Sequence, residues 1–192
     1  MMLREFIEKY SVLSDDDWHT IGSLFEKKEF KKNEIILEAG NVCRYFYFLE
    51  KGLIRFYNFV DGDELTRTFT IAPYCFTSRI SFRKQTASNE GIQALEKTVV
   101  WRISFGQYKT LEKINSWNIF MRKLLNEIQE FSESFYLDIR TMSAEDRYKK
   151  ILEGYPEELI RKIPLKHLSS FLGIAPQSLS RIRQKIKKNI NN

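Results

Sequence analysis

The sequence predicts an α+β fold in three parts: an N-terminal β-sandwich or barrel of roll topology (a jelly roll), a long helix, and a C-terminal helix-turn-helix. Three observations carry this. Between Phe30 and Ser104 the chain is a succession of short β-branched and aromatic segments separated by turn residues. From Trp117 to Met142 apolar residues recur at alternating steps of four and three. Near the C-terminus two short amphipathic stretches flank Gly173 and Pro176. A chain of 192 residues with 15 Phe, 9 Tyr and 3 Trp has both the length and the apolar payload for a packed core, and that aromatic content excludes intrinsic disorder.

The first thirty residues read as helical. Ser14 is placed to cap a helix whose Asp15, Asp16 and Asp17 favour the positive end of the dipole, and Trp18, Ile21, Leu24 and Phe25 share one face. Strands follow at Glu34–Leu37, Tyr45–Leu49, Leu53–Tyr57, Leu65–Ile71 and Val99–Ile103, punctuated by Ala39-Gly40-Asn41, Glu50-Lys51-Gly52 and Asp61-Gly62-Asp63. Strands this short at this spacing fit an antiparallel roll better than a parallel βαβ sheet. In the helix that follows, Trp117, Met121, Leu124, Ile128, Phe131 and Phe135 form a heptad seam, the pattern two paired helices use, and they are expected at a homodimer interface. Phe120, Leu125 and Ile139 remain for packing within the chain. Ser143, with Glu145 and Asp146 behind it, starts another helix that should stop at Gly154-Tyr155-Pro156.

Charge singles out the C-terminal end. The formal net charge is +6, and residues 143–192 supply all of it, with 11 Lys and Arg against 5 Asp and Glu. From Leu165 onward there are six basic residues and no acidic one. Such a segment attracts phosphates and releases counterions on contact. A solvated basic tail is the plain alternative, but the stretch is too ordered for that. Pro164 opens a helix carrying Leu165, Leu168 and Leu172, Gly173 ends it, Ile174 plugs the turn, and Pro176 opens a second helix. Two short helices joined by a tight glycine turn form the DNA-reading unit. On the second helix Leu179, Ile182 and Ile186 make the buried stripe. Gln177, Ser178, Arg181, Gln184, Lys185 and Lys188 lie on the other side. Gln and Arg are the side chains that bond adenine and guanine edges in the major groove, and serines suit phosphate or a close base.

Other chemistries are excluded by what is scarce. Cys43 and Cys75 are best read as free thiols in a reducing cytosol, too few for a four-cysteine zinc site or an iron–sulfur cluster. His19 and His167 are the only histidines, and none falls between Phe30 and Ser104, which counts against a metal-dependent cupin enzyme. The longest apolar run, Tyr45 to Leu49, is far short of a membrane span, and Met1 to Phe6 has no secretory pattern. A cytoplasmic, non-enzymatic protein without metal, cofactor or membrane partner is the expectation.

Two motifs carry a resemblance. Ser143-Ala-Glu-Asp-Arg-Tyr148 and Leu172-Gly-Ile-Ala-Pro-Gln-Ser-Leu-Ser-Arg181 are similar to patterns of the Crp/Fnr family of bacterial transcription regulators. The resemblance implies a cyclic-nucleotide-binding-type roll (a double-stranded β-helix) over 1–115, a dimerisation helix over 116–142 and a winged helix-turn-helix over 143–192. It implies a homodimer on double-stranded DNA with an inverted-repeat operator, and RNA polymerase as a further partner. Gln177, Ser178, Ser180 and Arg181 fall on the family's DNA-contacting positions, with Lys185 and Lys188 beyond them. There are three departures. Ala175 replaces the usual Thr or Ser cap of the recognition helix, which spans about 176–188. The wing is expected to be short or absent. Where nucleotide-binding members carry Phe-Gly-Glu and then Arg-Ser-Ala, this chain has Phe76-Thr77-Ser78 and Ser88-Asn89-Glu90. The ribose carboxylate has become Ser78 and the phosphate arginine Ser88, so the pocket around Thr77, Ser78, Arg79, Ser88 and Asn89 should be unable to hold cyclic AMP. Any small-molecule effector is unknown, and Arg79, Arg83 and Lys84 are expected on a basic solvated loop. The competing expectation is a β-roll sensor of a non-nucleotide small molecule or a protein partner, without sequence-specific DNA binding.

Overall fold

A computed structural model describes residues 2–190. Two short helices, α1 (Met2–Glu8) and α2 (Asp15–Ser23), precede eight strands: β1 (Glu26–Phe30), β2 (Ile35–Leu37), β3 (Tyr45–Lys51), β4 (Leu53–Val60), β5 (Asp63–Ile71), β6 (Tyr74–Phe76), β7 (Glu90–Ala94) and β8 (Thr98–Ser104). A short helix α3 (Arg79–Lys84) lies between β6 and β7. After β8 come α4 (Phe105–Leu111), α5 (Asn115–Thr141), α6 (Ala144–Gly154), α7 (Glu157–Lys162), α8 (Leu165–Leu172) and α9 (Pro176–Ile190). None of the described helices is long and apolar enough to cross a membrane.

The strands form two antiparallel four-stranded sheets, ordered β1-β8-β3-β6 and β2-β7-β4-β5. Their crossed order gives the roll. Period-2 alternation fills the space between them. Ile54 and Phe56 of β4 point inward, where the Phe56 and Phe76 rings meet edge-on at 6.2 Å. Five consecutive residues of β4, Leu53 to Tyr57, are nevertheless buried. The outer face is covered as well, because Leu53 and Leu95 join a second apolar cluster with Tyr148, Ile160, Ile163, Leu168, Leu172 and Leu179. The C-terminal helices therefore sit on the outside of the roll and share a core with it.

Ser14 caps α2 by accepting from the Asp17 amide at 3.1 Å, Ser143 caps α6, and α6 stops at Gly154 as its sequence dictates. Four readings need correction. Residues 26–30 are a strand rather than helix. Glu26-Lys-Lys-Glu shows no apolar alternation because β1 is a sheet edge, where charge blocks further pairing, and it registers on β8 from Glu26–Arg102 to Phe30–Thr98. The basic stretch at Arg79 is the helix α3, not an open loop. The helices α4 and α7 were not anticipated.

The fourth correction concerns α5. Trp117 and Leu124, expected to face a second protomer, are fully enclosed in the roll's own cluster, as is Phe120. Trp117 packs among Phe25, Phe46 and Tyr108. Leu125 and Ile139, expected inside, are exposed instead at 37% and 46%. The heptad pattern is real, but its buried line is taken by a single chain. The line beside it is rotated: Met121 and Ile128 are partly buried against the roll, and Leu125 and Ile139 on the same side are exposed.

Candidate nucleic-acid interface and the closed roll pocket

The α8–α9 pair is built from its turn. Gly173 has φ of 68°, a left-handed conformation that a side chain would strain, and the Ile174 amide reaches back to the Ser169 carbonyl at 3.0 Å. That six-to-one bond closes α8, and Pro176 opens α9. Leu179 is fully buried against α8, with Ile182 and Ile186 packed beside it. This fixes which way the rest of α9 faces.

Arg147 of α6 ties the pair to the long helix. It donates to the Met142 carbonyl at 2.7 Å and to the Leu172 carbonyl at 2.8 Å, capping the ends of α5 and α8 at once. Two basic residues of α9 are engaged by α6. Arg183 donates to the Tyr148 hydroxyl at 3.1 Å, and Lys185 meets Glu145 at 2.7 Å, a pairing that holds the Glu145 carboxyl below its usual range. Gln177, Ser178, Arg181, Gln184 and Lys188 are exposed, and among the described residues none of their side chains has a protein partner. Ser180 is half-buried, at the edge of this face. Residues 191 and 192, where a short wing would begin, lie outside the described residues.

The roll pocket has the opposite character. Ser78 and Ser88 are both 3% exposed, and their hydroxyls bond each other at 2.9 Å. The Ser88 hydroxyl also bonds the Glu90 carbonyl at 2.8 Å, while its backbone pairs with Gly40 and Asn41. The Thr77 hydroxyl donates to the Tyr45 carbonyl at 2.9 Å, and the Asn89 carbonyl accepts from Asn58 at 2.8 Å. Glu90 accepts from Arg67 at 2.7 Å. Arg79, Arg83 and Lys84 are exposed on α3. Gly91 lies beneath the Tyr57 ring so closely that a Cβ there would sit 2.3 Å from it. Of the five expected pocket residues the structure joins Ser78 to Ser88, while Arg79 and Asn89 are exposed. The hydroxyls of Thr77, Ser78 and Ser88 are spent within the chain, and buried polar groups so satisfied gain little by exchanging partners.

One polar cluster was not foreseen. Arg55, 2% exposed in the middle of β4, donates to Gln93 at 2.8 Å, pairs with Glu64, and lies over the Tyr57 ring at 4.3 Å. Burial pushes the Glu64 carboxyl up, but the bond and charge of Arg55 more than reverse this and leave it below its usual range. His167 of α8 packs above the pair. Burial, and then the Arg55 charge, pull its imidazole down to about 4. On the same two elements the Thr66 amide donates to Ser170 at 2.9 Å and Phe69 meets Phe171 at 5.3 Å. These contacts seat α8 on β5, and Lys162 at the end of α7 pairs with Glu96 of the roll at 2.9 Å. The visible signal in the sequence was an arginine inside the apolar run Leu53-Ile-Arg-Phe-Tyr57.

The architecture is a roll of two antiparallel sheets, a long helix along it and a C-terminal helical body. Residues 27–114 match the family model for the cyclic nucleotide-binding domain. No curated protein matches in sequence. Three solved structures share the fold across most of both chains. FixK2 from Bradyrhizobium japonicum has a TM-score of 0.72 at 16% identity, covering 86% of this chain and 85% of its own. A CooA mutant from Carboxydothermus hydrogenoformans gives 0.69 at 16% identity, with 88% and 78% covered. CLP from Xanthomonas campestris, described as a c-di-GMP responsive global regulator, gives 0.66 at 11% identity, with 92% and 93% covered. Each covers 86–92% of this chain, a larger part than the matched domain.

Proposed function

We propose that this chain is a non-catalytic, cytoplasmic DNA-binding transcription regulator of the Crp/Fnr type, acting as a homodimer on an inverted repeat, with a roll that does not take cyclic AMP. The observation that carries the reading is the unpartnered Gln177, Arg181, Gln184 and Lys188 face of α9, held outward by the burial of Leu179 on a segment without acidic residues. A helix of this kind enters the major groove with its N-terminal residues on base edges and its farther lysines on phosphates. In this reading residues 143–192 read DNA, 116–142 pair two protomers and 1–115 sense. In a dimer paired along Met121, Leu125, Ile128 and Ile139, reading an inverted repeat requires the two α9 helices to stand one helical turn of DNA apart, ~34 Å. The self-bonded Ser78 and Ser88 supply neither the carboxylate nor the guanidinium that a cyclic nucleotide needs.

The test is selection of duplexes from a random pool on the full chain, followed by fluorescence-anisotropy titration at several salt concentrations. Enrichment of an inverted repeat, with log affinity falling linearly with log salt, is expected. Failure to enrich any motif would overturn the reading.

A further inference from the structure

A cavity of about 560 Å³ lies at the junction of roll, long helix and C-terminal domain, walled by β5, α5, α6, α7 and α8. It is distinct from the pocket of Ser78 and Ser88, none of whose residues line it. The volume falls within the roughly 300–1,000 Å³ of small-molecule sites, and domain junctions are where such sites occur. Four phenylalanines give it its character. Phe135 stacks on Phe171 at 4.8 Å and on Phe131 at 6.1 Å, both nearly parallel, while Phe69 stands edge-on to Phe171. Phe131 is 53% exposed, so an aromatic face remains available at the opening.

The charged lining is Asp138, Arg147, Lys150 and Glu153. Lys150 is paired with Asp138. Arg147 has no carboxylate partner among the described residues: its two terminal nitrogens are spent on carbonyls, and its Nε is buried without an acceptor. The guanidinium charge of Arg147 at the cavity wall is thus left for an anionic group to neutralise. Aromatic faces and edges along the lining favour a flat ring system over an alkyl chain, since aromatic contact adds to area burial.

We propose that this cavity is a binding site for a small planar aromatic anion, a fused-ring or aryl carboxylate or sulfonate, with its rings among Phe69, Phe131, Phe135 and Phe171 and its anionic group toward Arg147. The occupant touches the roll through Phe69 and the DNA-reading body through Phe171, so it bears on how the two are held. The site stands on the cavity itself and does not rest on DNA being the partner.

The test uses the full chain and the dye 1-anilinonaphthalene-8-sulfonate. Saturable binding at one dye per chain, with a rise in Tm, is expected. Ser134→Trp, at an exposed position of α5 that lines the cavity, should fill it and weaken the dye at least tenfold. Phe59→Ser, on the exposed β4–β5 hairpin, should change the affinity less than twofold. In competition, 2-naphthoate should displace the dye at a concentration at least tenfold lower than decanoate or naphthalene-2-carboxamide. The site would be overturned by dye binding that is non-saturable, that survives Ser134→Trp, or that is lost equally in Phe59→Ser. Equal competition by decanoate or the carboxamide would overturn the ligand class. DNA titrations on the same samples report separately, so failure of either reading is visible without the other.

Discussion

The roll pocket and the outer face of α9 hold much the same kinds of polar side chain and put them to opposite ends. Around Ser78 and Ser88 every buried hydroxyl has found an acceptor within the chain, and the two serines close on each other. On α9 Arg183 bonds Tyr148 and Lys185 bonds Glu145, while Gln177, Ser178, Arg181, Gln184 and Lys188 have no side-chain partner among the described residues. A polar cluster that satisfies itself stabilises a fold. One that cannot is available to a partner, and DNA offers the acceptors that Gln177 and Arg181 lack.

Four changes would break or sharpen this contrast. The largest effect is expected from Leu125→Glu with Ile139→Glu, which charges the exposed line of α5 and leaves the roll core untouched. Light scattering should show monomers, and loss of the second half-site should cost DNA affinity about a hundredfold or more. A chain that stays dimeric would place the interface elsewhere. Leu124→Glu would not serve, because Leu124 is core and its variant reports on folding.

Arg181→Ala should cost ~1–3 kcal/mol on a selected duplex and flatten selectivity at one base pair per half-site. Lys188→Ala should weaken all sequences alike and lower the salt slope by about 1. Equal losses on selected and scrambled duplexes for Arg181→Ala would assign it to the backbone. On the other side of the comparison, Ser78→Ala removes one partner of a buried pair. Chemical denaturation should show a loss of about 1 kcal/mol with DNA affinity unchanged; a change in DNA affinity would mean that the closed pocket still speaks to α9.

The smallest effect lies at the seam between the two regions. His167 has a folded pKa of about 4, below its ordinary 6.5, so the folded state binds its proton less readily than the unfolded chain. Its contribution is whole above about pH 6.5 and is lost as the pH falls toward 4. With the imidazole partly exposed, solvent screening reduces the contribution to about 1 kcal/mol over that window. His167→Gln should remove the fall in Tm between pH 7 and pH 5.5, and an identical fall in the variant would assign the pH dependence to other groups.

What the sequence made legible follows the physics each segment obeys alone. Caps, turns and the glycine between α8 and α9 are local chemistry, and Ser14, Ser143 and Gly173 do what their surroundings dictate. The composition of α9 likewise separates Leu179, Ile182 and Ile186 from Gln177 and Arg181. The misreadings arise where the outcome depends on distant partners. The seam of α5 was visible as a period, but whether Trp117 faces its own roll or another chain is decided by Phe25, Phe46 and Tyr108. The charged β1 lacked strand signals because a sheet edge does not need them. That positions 78 and 88 carry serines was legible, but the bond by which the two serines close on each other was not. The cavity behind Phe171 depends on a junction between domains that no local pattern encodes.

The most direct test of the contrast is one titration of the full chain on a selected inverted repeat and on its scrambled counterpart, each with and without millimolar cyclic AMP. Preferential binding of the inverted repeat, with affinity and Tm unmoved by the nucleotide, is the expected result. Equal affinity for the two duplexes, or a saturable nucleotide-dependent gain in binding, would contradict it.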